Sequence, residues 1–407
     1  MFLFKYQSPS NLSFSALKRG EIYFASVGEL NDSNECRPNF IYKASLEIWQ
    51  RFAHFILFEI AIAGEHVLFG GNREKFEQFV DLYDEIGAEV KKSAGLRELS
   101  EDNLIGLFIK VMLGNVAGSY PENQLRYLEE LSFAVLKEKL PDINDVDRYI
   151  AAFSTDVTNP TMWGHYGAAD QGFAIVYEVD GNKLSVSSSL EILYGSRPSE
   201  EEGVSLIGAW TDKDLELEPV TYKKSPPKVN GFHYLVHKFH YSEAEYHYDV
   251  PELIMGDAPL KDDHLVGLVK YSDWRYEREV RAILPKYGKR NFPPDLRSLK
   301  VSPKHVKGIV LGSKISNADA QRVFFCCYML VSEYAKNAGE EYDLESFSFF
   351  QAKAHQFEFK MTIKPLGVLK KSYMGSLPFK PLCELEIPHQ KLLQDKAAIL
   401  GNGNVVT

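Results

Sequence analysis

The sequence predicts an α+β protein: a core built on a mixed or antiparallel β-sheet, interrupted by a large helical insertion. Segments with the alternating apolar residues of strands occur near the start and again after residue 150. Between them, apolar residues recur every three or four positions, as they do on amphipathic helices. We therefore predict a discontinuous core of residues 1–42 and 151–370, a helical insertion at 43–150, and a C-terminal extension at 371–407 with a frayed tail.

Composition narrows the class of protein. The chain has 407 residues, of which 45% are hydrophobic and 25% charged, which is ordinary for a globular protein. A net charge of -10 disfavours non-specific adhesion to nucleic acid, which depends on Lys and Arg, although a local basic groove stays allowed.

The four cysteines show no C-x-x-C spacing and the start resembles no secretory signal, so we predict a cytoplasmic protein with reduced thiols. The apolar run at 52–63 is too short to cross a bilayer, so we expect a buried helix there and no membrane association.

The first 42 residues predict a strand, a helix and a second strand. The helix begins near an N-cap at Ser10 or Asn11 and ends at Gly20. A polar turn with Asn31 and Asp32 follows the second strand. If the two strands pair, Lys5, Ser26, Asp32 and Glu35 come close together.

The middle of the chain adds scaffold and two possible ligand-binding stretches. The insertion predicts four to six helices that serve as a scaffold or a partner surface. After it, Trp163 and Tyr166 share one side of a helical turn, where they either hold a planar ring or plug a core. On a helix, His233, His237 and His240 share a face and suit zinc by their spacing, but no H-E-x-x-H motif or thiolate accompanies them. We therefore predict no metal site.

The most informative stretch is K-Y-S-D-W-R-Y-E-R-E-V-R-A-I-L, residues 270–284. Read as one strand, it puts Val280, Ala282 and Leu284 on one face together with Trp274 and Tyr276. The other face carries Arg275, Glu277, Glu279 and Arg281. Two carboxylates about 7 Å apart would then hold a sugar hydroxyl or stabilise a developing cation. A self-neutralising, solvated stripe of charges is the structural alternative.

Several catalytic signatures are missing from the sequence. It contains no G-x-x-x-x-G-K-[ST], no G-x-G-x-x-G after a strand and no G-x-S-x-G. P-loop phosphoryl transfer, Rossmann dinucleotide chemistry and the α/β-hydrolase mechanism are therefore disfavoured.

Three stretches together resemble a widespread prokaryotic family of unknown function, domain-of-unknown-function family 2971. They are F-K-Y with I-Y-F-A-S and L-N-D-x-x-E, then N-P-T-M-W-G-H-Y with G-F-A-I-V-Y, and finally W-R-Y-E-R-E-V-R with G-I-V-L-G. Members often carry NDPFE, MWSHYA and WxYExEYR at these places. This sequence departs from the family at Ser33 and Asn34, while Asn31, Asp32 and Glu35 match. The resemblance brings no established activity.

The opening elements also resemble the first elements of ADP-ribosyltransferase-like folds, which have a split sheet. This resemblance implies that Lys5 or Tyr6 takes the first-strand position, that Tyr166 stacks on a nicotinamide ring, and that Glu279 or Glu277 is the terminal acid. The implied ligand is NAD, held by a set of binding residues: Lys5, Tyr6, Ser26, Asn31, Asp32, Glu35, Trp163, His165, Arg275 and Arg281. No metal is implied.

The leading hypothesis is therefore an enzyme that cleaves NAD and transfers ADP-ribose to a protein or nucleic acid, as a toxin or anti-phage effector. One alternative is a non-enzymatic module that senses a ligand in its pocket while the helical block engages a partner protein. A third is metal-dependent phosphodiester cleavage by Asp32, Glu35, Glu277 and Glu279, since hard cations prefer oxygen ligands.

Overall fold

A computed structural model describes residues 1–141, 148–188, 213–232, 235, 265–285, 294–338 and 347–368. The described residues form two compact units. Unit 1 comprises those within Met1–Glu35, Asp147–Lys224 and Gly267–Thr407. Unit 2 comprises those within Cys36–Val146 and Ser225–Val266.

The regular elements of both units are numbered in chain order. The strands are β1 (Phe2–Gln7), β2 (Glu21–Tyr23), β3 (Ala25–Ser26), β4 (Asn39–Tyr42), β5 (Leu99–Ser100), β6 (Arg148–Ser154), β7 (Phe173–Glu178), β8 (Lys183–Ser188), β9 (Lys213–Pro219), β10 (Thr221–Lys223), β11 (Lys228–Asn230), β12 (Val269–Tyr271), β13 (Glu279–Pro285), β14 (Ser298–Val301), β15 (Val306–Leu311), β16 (Ser348–Ala354) and β17 (Met361–Val368). The helices are α1 (Asn11–Arg19), α2 (Leu46–Gly64), α3 (Arg73–Val80), α4 (Tyr83–Ala94), α5 (Glu101–Val116), α6 (Glu122–Lys139), α7 (Pro160–His165) and α8 (Asn317–Ala338).

Unit 1 is built on one large sheet with the strand order β17-β16-β15-β7-β1-β6-β13-β9-β8-β14-β2. Its described pairings are antiparallel except for the parallel pair β15–β16, so the sheet is mixed. Part of it closes on itself. Only Phe24 separates β2 from β3, yet β2 pairs with β14 and β3 pairs with β6.

The interior of unit 1 follows from strand alternation. On β13, Val280, Ala282 and Leu284 join the main apolar cluster, whereas Glu279 and Arg281 point to the opposite face. The predicted division of these residues between two faces is therefore confirmed from Glu279 onward. The opening helix also matches its prediction: the Ser10 side chain caps α1, and Gly20 ends it with a φ of 66°.

Unit 2 contains the predicted helical insertion. Its core is rich in aromatic rings. Trp49 and Phe52 of α2 pack edge-to-face with Phe232, and Phe52 packs in the same way with Phe108 of α5. Helices α2 and α4 approach closely because residue 87 is glycine, where a Cβ would lie 2.5 Å from the Gln50 Cα. Among the described residues, one helical stretch, Leu46–Phe69, is long and apolar enough to cross a bilayer. However, 61% of its most apolar window is buried inside the protein, as in the core helix of a soluble protein.

The α+β class is confirmed, but two predicted boundaries move. The described residues within Ser225–Val266 belong to unit 2 and not to the core, because β11 pairs with β4. Strand β6 begins at Arg148, three residues before the predicted start of the core, because it pairs with β13 as far as Pro285. His233, His237 and His240, the extension at 371–407 and its predicted frayed tail lie outside the described residues.

Candidate functional site

The segment that carries the two predicted catalytic acids changes conformation twice. After β12, residues Ser272–Glu277 form a 3-10 turn, Arg278 adopts a left-handed φ of 46°, and β13 starts at Glu279. The prediction of one continuous strand over residues 270–284 is therefore wrong. Tertiary contacts fix the turn, since the Trp274 indole donates to Asp32 at 2.9 Å and the Asn159 amide donates to the Tyr276 carbonyl at 3.0 Å.

Although it is not a strand, the turn still places the side chains of Glu277 and Glu279 next to each other. Both are buried, with 2% and 6% of their surface exposed, and the Lys270 ammonium donates hydrogen bonds to both carboxylates. The Tyr166 hydroxyl donates to the Glu277 carboxylate from α7's C-terminal end. The three side chains and the Lys270 ammonium therefore form one hydrogen-bonded group. The alternative of a solvated charge stripe is excluded, because both acids are buried.

Two buried cations hold this acid pair in place. The Lys270 ammonium lies 2.6 Å from Glu277, 2.7 Å from Glu35 and 3.2 Å from Glu279. The Arg281 guanidinium contacts both Glu279 oxygens, at 2.7 and 3.0 Å, and reaches Glu35 at 2.5 Å. Lys270, Glu35, Glu277, Glu279 and Arg281 are hereafter the charge cluster. Buried charges are tolerated only with such partners.

The environment separates the proton affinities of the two acids. Burial raises the pKa of Glu277 above its usual 4.5, against the opposing effect of Lys270. Burial also acts to raise the pKa of Glu279, but the Arg281 and Lys270 charges outweigh it and lower that pKa to about 2. A proton that enters the pair therefore binds Glu277, while Glu279 stays ionised. Two carboxyls with pKa values pushed apart are typical of an acid–base pair.

A cleft of about 190 Å³ opens above the charge cluster. Its walls include the apolar and aromatic side chains of Phe4, Tyr6, Met162 and Tyr166. Lys5 also lines the cleft. Burial lowers the pKa of its ammonium to about 8, although the charge of Glu279 acts to raise it. The cleft therefore offers a carboxylate, a carboxyl of raised pKa, a phenol and a readily deprotonated amine around one small volume.

The structure brings most, but not all, of the predicted site residues to this cleft. Those that line it are Lys5, Tyr6, Asn31, Glu35, Tyr166, Glu277, Glu279 and Arg281. Five predicted residues lie elsewhere: Ser26, Asp32, Trp163, His165 and Arg275.

Each of these five has an identifiable position. Trp163 is fully buried and packs edge-to-face against Tyr6 at 5.0 Å, so it supports the cleft wall from behind. Ser26 caps the turn Val27–Glu29 through the Glu29 carboxylate. Asp32 accepts from the Trp274 indole. His165 and Arg275 are both exposed. Arg275 lies in the 3-10 turn that replaces the predicted strand, and this turn directs its side chain away from the acids.

Several residues of the site were not predicted from the sequence, among them Lys270 and Tyr222. Lys270 opens the informative stretch, but no local pattern shows that its ammonium is buried among Glu35, Glu277 and Glu279. Tyr222 on β10 accepts a hydrogen bond from the Glu279 backbone N–H at 2.9 Å, because β10 pairs with β12. No sequence pattern marks Tyr222, since the long segment between these strands hides their pairing.

The carboxylates proposed for a metal-dependent alternative do not form one ligand set. Asp32 turns to Trp274, and the Lys270 ammonium sits among the other three, Glu35, Glu277 and Glu279. In the part of the chain that the structure describes, no group of three or more metal-ligating side chains is present. The Lys270 ammonium therefore occupies the position that a metal ion would need in the metal-dependent alternative.

Comparison with known proteins gives one match. Residues 162–282 match the family described as protein of unknown function DUF2971. This stretch includes Tyr166, Lys270, Glu277, Glu279 and Arg281. No curated protein and no solved structure matches the chain.

Proposed function

We propose that this protein, whose residues 162–282 match the DUF2971 family, cleaves NAD and transfers ADP-ribose to a macromolecular acceptor. One observation carries the proposal. At the floor of a cleft walled by aromatic rings, two buried carboxyls of divergent pKa meet beside the Tyr166 phenol. The resemblance of the opening elements to ADP-ribosyltransferase-like folds adds support.

The chemistry assigns different roles to the two acids. Breaking the bond between nicotinamide and ribose leaves the electron pair on the departing ring and positive charge on the ribose. Glu279, which stays ionised, stabilises that charge, and a bond then forms from the acceptor oxygen or nitrogen to the ribose carbon. The proton that the acceptor loses goes to Glu277, whose raised pKa makes it the stronger base of the two.

The size of the cleft limits which part of NAD enters it. A volume of about 190 Å³ is below the roughly 300–1,000 Å³ of pockets that enclose a drug-sized ligand. In this proposal the nicotinamide end enters beside Tyr166, and the diphosphate stays outside the cleft. Action as a toxin or anti-phage effector in the cytoplasm, with a partner on the helical unit, remains part of the proposal.

The test uses the full chain with NAD and follows nicotinamide release by chromatography, with cell lysate supplied as a source of acceptors. We expect Glu277→Gln and Glu279→Gln each to lower the rate by roughly 100-fold or more, because each removes charge or a proton acceptor. Asp273→Asn is the matched control: it makes the same acid-to-amide change on an exposed residue of the same turn, and should keep the rate.

Absence of nicotinamide release by the unmodified chain would rule the proposal out, as would equal rates for all three variants. A chelator arm is added to the same assay. Loss of activity with chelator and recovery with magnesium would favour the metal-dependent alternative instead.

A second candidate, a non-enzymatic ligand-sensing or partner-binding module, is favoured by the saturation of the charge cluster. The Lys270 ammonium has three donors and forms ion pairs with three carboxylates, of which Glu277 and Glu279 accept hydrogen bonds from it. A network so fully paired serves to fix a structure as well as to do chemistry. In this reading the two Gln variants change thermal stability or ligand binding, and no reaction is found for any form of the protein.

A further inference from the structure

A cluster of aromatic rings lies on the surface next to the acid pair and has no role in the chemistry above. It consists of His165, Trp274 and Tyr276, hereafter the rim platform. Ring centroids are 5.8 Å apart for His165–Tyr276, 6.0 Å for Trp274–Tyr276 and 6.4 Å for His165–Trp274. His165 is exposed, and the two other rings are half-buried.

Hydrogen bonds hold the rim platform in one arrangement. The Trp274 indole donates to Asp32 at 2.9 Å, and the His165 Nδ1 lies 2.9 Å from the Tyr276 hydroxyl. Beside His165, residue 164 is glycine, and a Cβ there would meet nothing within 4 Å. The surface next to the rings is therefore open. Rigid rings on an open surface are suited to receive another planar ring, because little entropy is lost on stacking.

The rim platform is joined to the catalytic floor through its own chain neighbours. Tyr276 directly precedes Glu277, and His165 directly precedes Tyr166, whose hydroxyl donates to Glu277. In both cases one residue faces outward and the next reaches the acid pair. A planar group stacked on the rim platform therefore lies next to residues that are direct chain neighbours of Glu277 and Tyr166. The acceptor must reach the cleft beside these two residues.

Exposed cations accompany the rings in this otherwise acidic chain. Arg275 is exposed, and among the described residues no carboxylate pairs with its guanidinium. Arg278 is 59% exposed and has only a loose contact with Asp156, at 3.4 Å. Aromatic rings with flanking guanidinium groups are the combination that binds single-stranded nucleic acid, by stacking of bases and pairing with phosphates. The net charge of -10 opposes adhesion along a whole duplex.

We infer that the acceptor of the transferred ADP-ribose is single-stranded nucleic acid, one base of which stacks on a ring of the rim platform. The inference rests on the proposed function, because it names the acceptor of that same site. Stacking supplies most of the affinity, and Arg275 contributes one phosphate contact. Duplexes bind poorly, because their bases are already stacked on each other.

The test measures fluorescence anisotropy of short labelled DNA and RNA strands of mixed sequence with the full chain, in the absence of NAD. Duplexes of the same length and heparin, a polyanion without bases, are the comparison probes. We expect single strands to bind more tightly than either. Trp274→Ala should weaken binding roughly 5- to 150-fold, whereas Trp274→Phe should retain most of it.

Two further variants separate stacking from damage to the fold. Phe133→Ala removes a ring that is 51% exposed in unit 2 and should leave binding unchanged. Arg275→Gln changes an exposed side chain and should reduce the slope of log affinity against log salt by about 0.7. Equal binding of heparin and single strands, indifference to Trp274→Ala, or no binding of any strand would each overturn the inference.

The two proposals fail separately. Binding is measured without NAD, so strands that bind to a chain that releases no nicotinamide would rule out the proposed function, and with it the role of the strand as acceptor, while the strand-binding surface would stand. Nicotinamide release by a chain that binds no strand would sink the choice of acceptor alone.

Discussion

The charge cluster of unit 1 and the surface of unit 2 use the same kinds of ion pair in opposite environments. Side chains of the charge cluster are 1–6% exposed, and each cation meets at least two carboxylates. In unit 2, Lys137 pairs with Glu101 and Asp102, but it is 39% exposed. Water and salt screen the second set and not the first.

The difference in burial between the two sets of ion pairs indicates which of them belongs to a functional site. Replacing buried ion pairs by apolar side chains of similar volume is often neutral or stabilising, so a buried cluster is weak evidence for a role in stability. It is stronger evidence for a site, because burial and close partners are what shift pKa values. The pair Lys137–Glu101 raises the pKa of Lys137 only through surface contacts and indicates no site.

The largest expected effect comes from breaking the buried cluster. Lys270→Met leaves three buried carboxylates with Arg281 as their remaining cation, so we expect the free energy of unfolding to fall by about 3–5 kcal/mol. Denaturant unfolding followed by fluorescence measures this. The double variant Lys270→Met with Glu35→Gln should recover part of the loss, since one uncompensated charge is removed. A single variant as stable as the unmodified protein would contradict the account of the cluster.

The smallest effect is expected at the matched lysine of unit 2. Lys137→Met removes two exposed ion pairs, and the free energy of unfolding should change by about 0.2–1 kcal/mol, less at high salt. The same denaturant series measures it. Equal losses for Lys137→Met and Lys270→Met would remove the contrast between the two regions.

Much of unit 1 was predictable because local signals agree with the tertiary structure there. The N-cap Ser10, the terminating Gly20 and the alternation of Val280, Ala282 and Leu284 all mark their elements in the sequence. Tyr166, Glu277 and Glu279 were placed in one site by resemblance, and they do meet in one cleft.

The rest depended on contacts that a local pattern does not contain. The left-handed Arg278 breaks the predicted strand, although arginine has no preference for that conformation. The Asp32–Trp274 and Asn159–Tyr276 hydrogen bonds that fix the turn join distant parts of the chain. For the same reason the partners of Lys270 and the role of Tyr222 were not apparent.

The divergent acid pair has a consequence for stability against pH. The lowered pKa of Glu279 stabilises the fold above pH 4.5, the ordinary value, and this contribution is lost as pH falls towards about 2. The raised pKa of Glu277 acts in the opposite sense: its contribution is present at low pH and is lost as pH rises through its own pKa. The two carboxyls therefore differ in the direction of their effect as well as in proton affinity.

The most direct test of the account is a titration of the Glu277 and Glu279 carboxyl carbons by NMR in the full chain, with the resonances assigned from the two Gln variants. We expect Glu279 to stay ionised down to about pH 2 and Glu277 to bind its proton above pH 4.5. If both carboxyls instead titrate together near 4.5, they do not form the divergent pair on which the proposed chemistry depends.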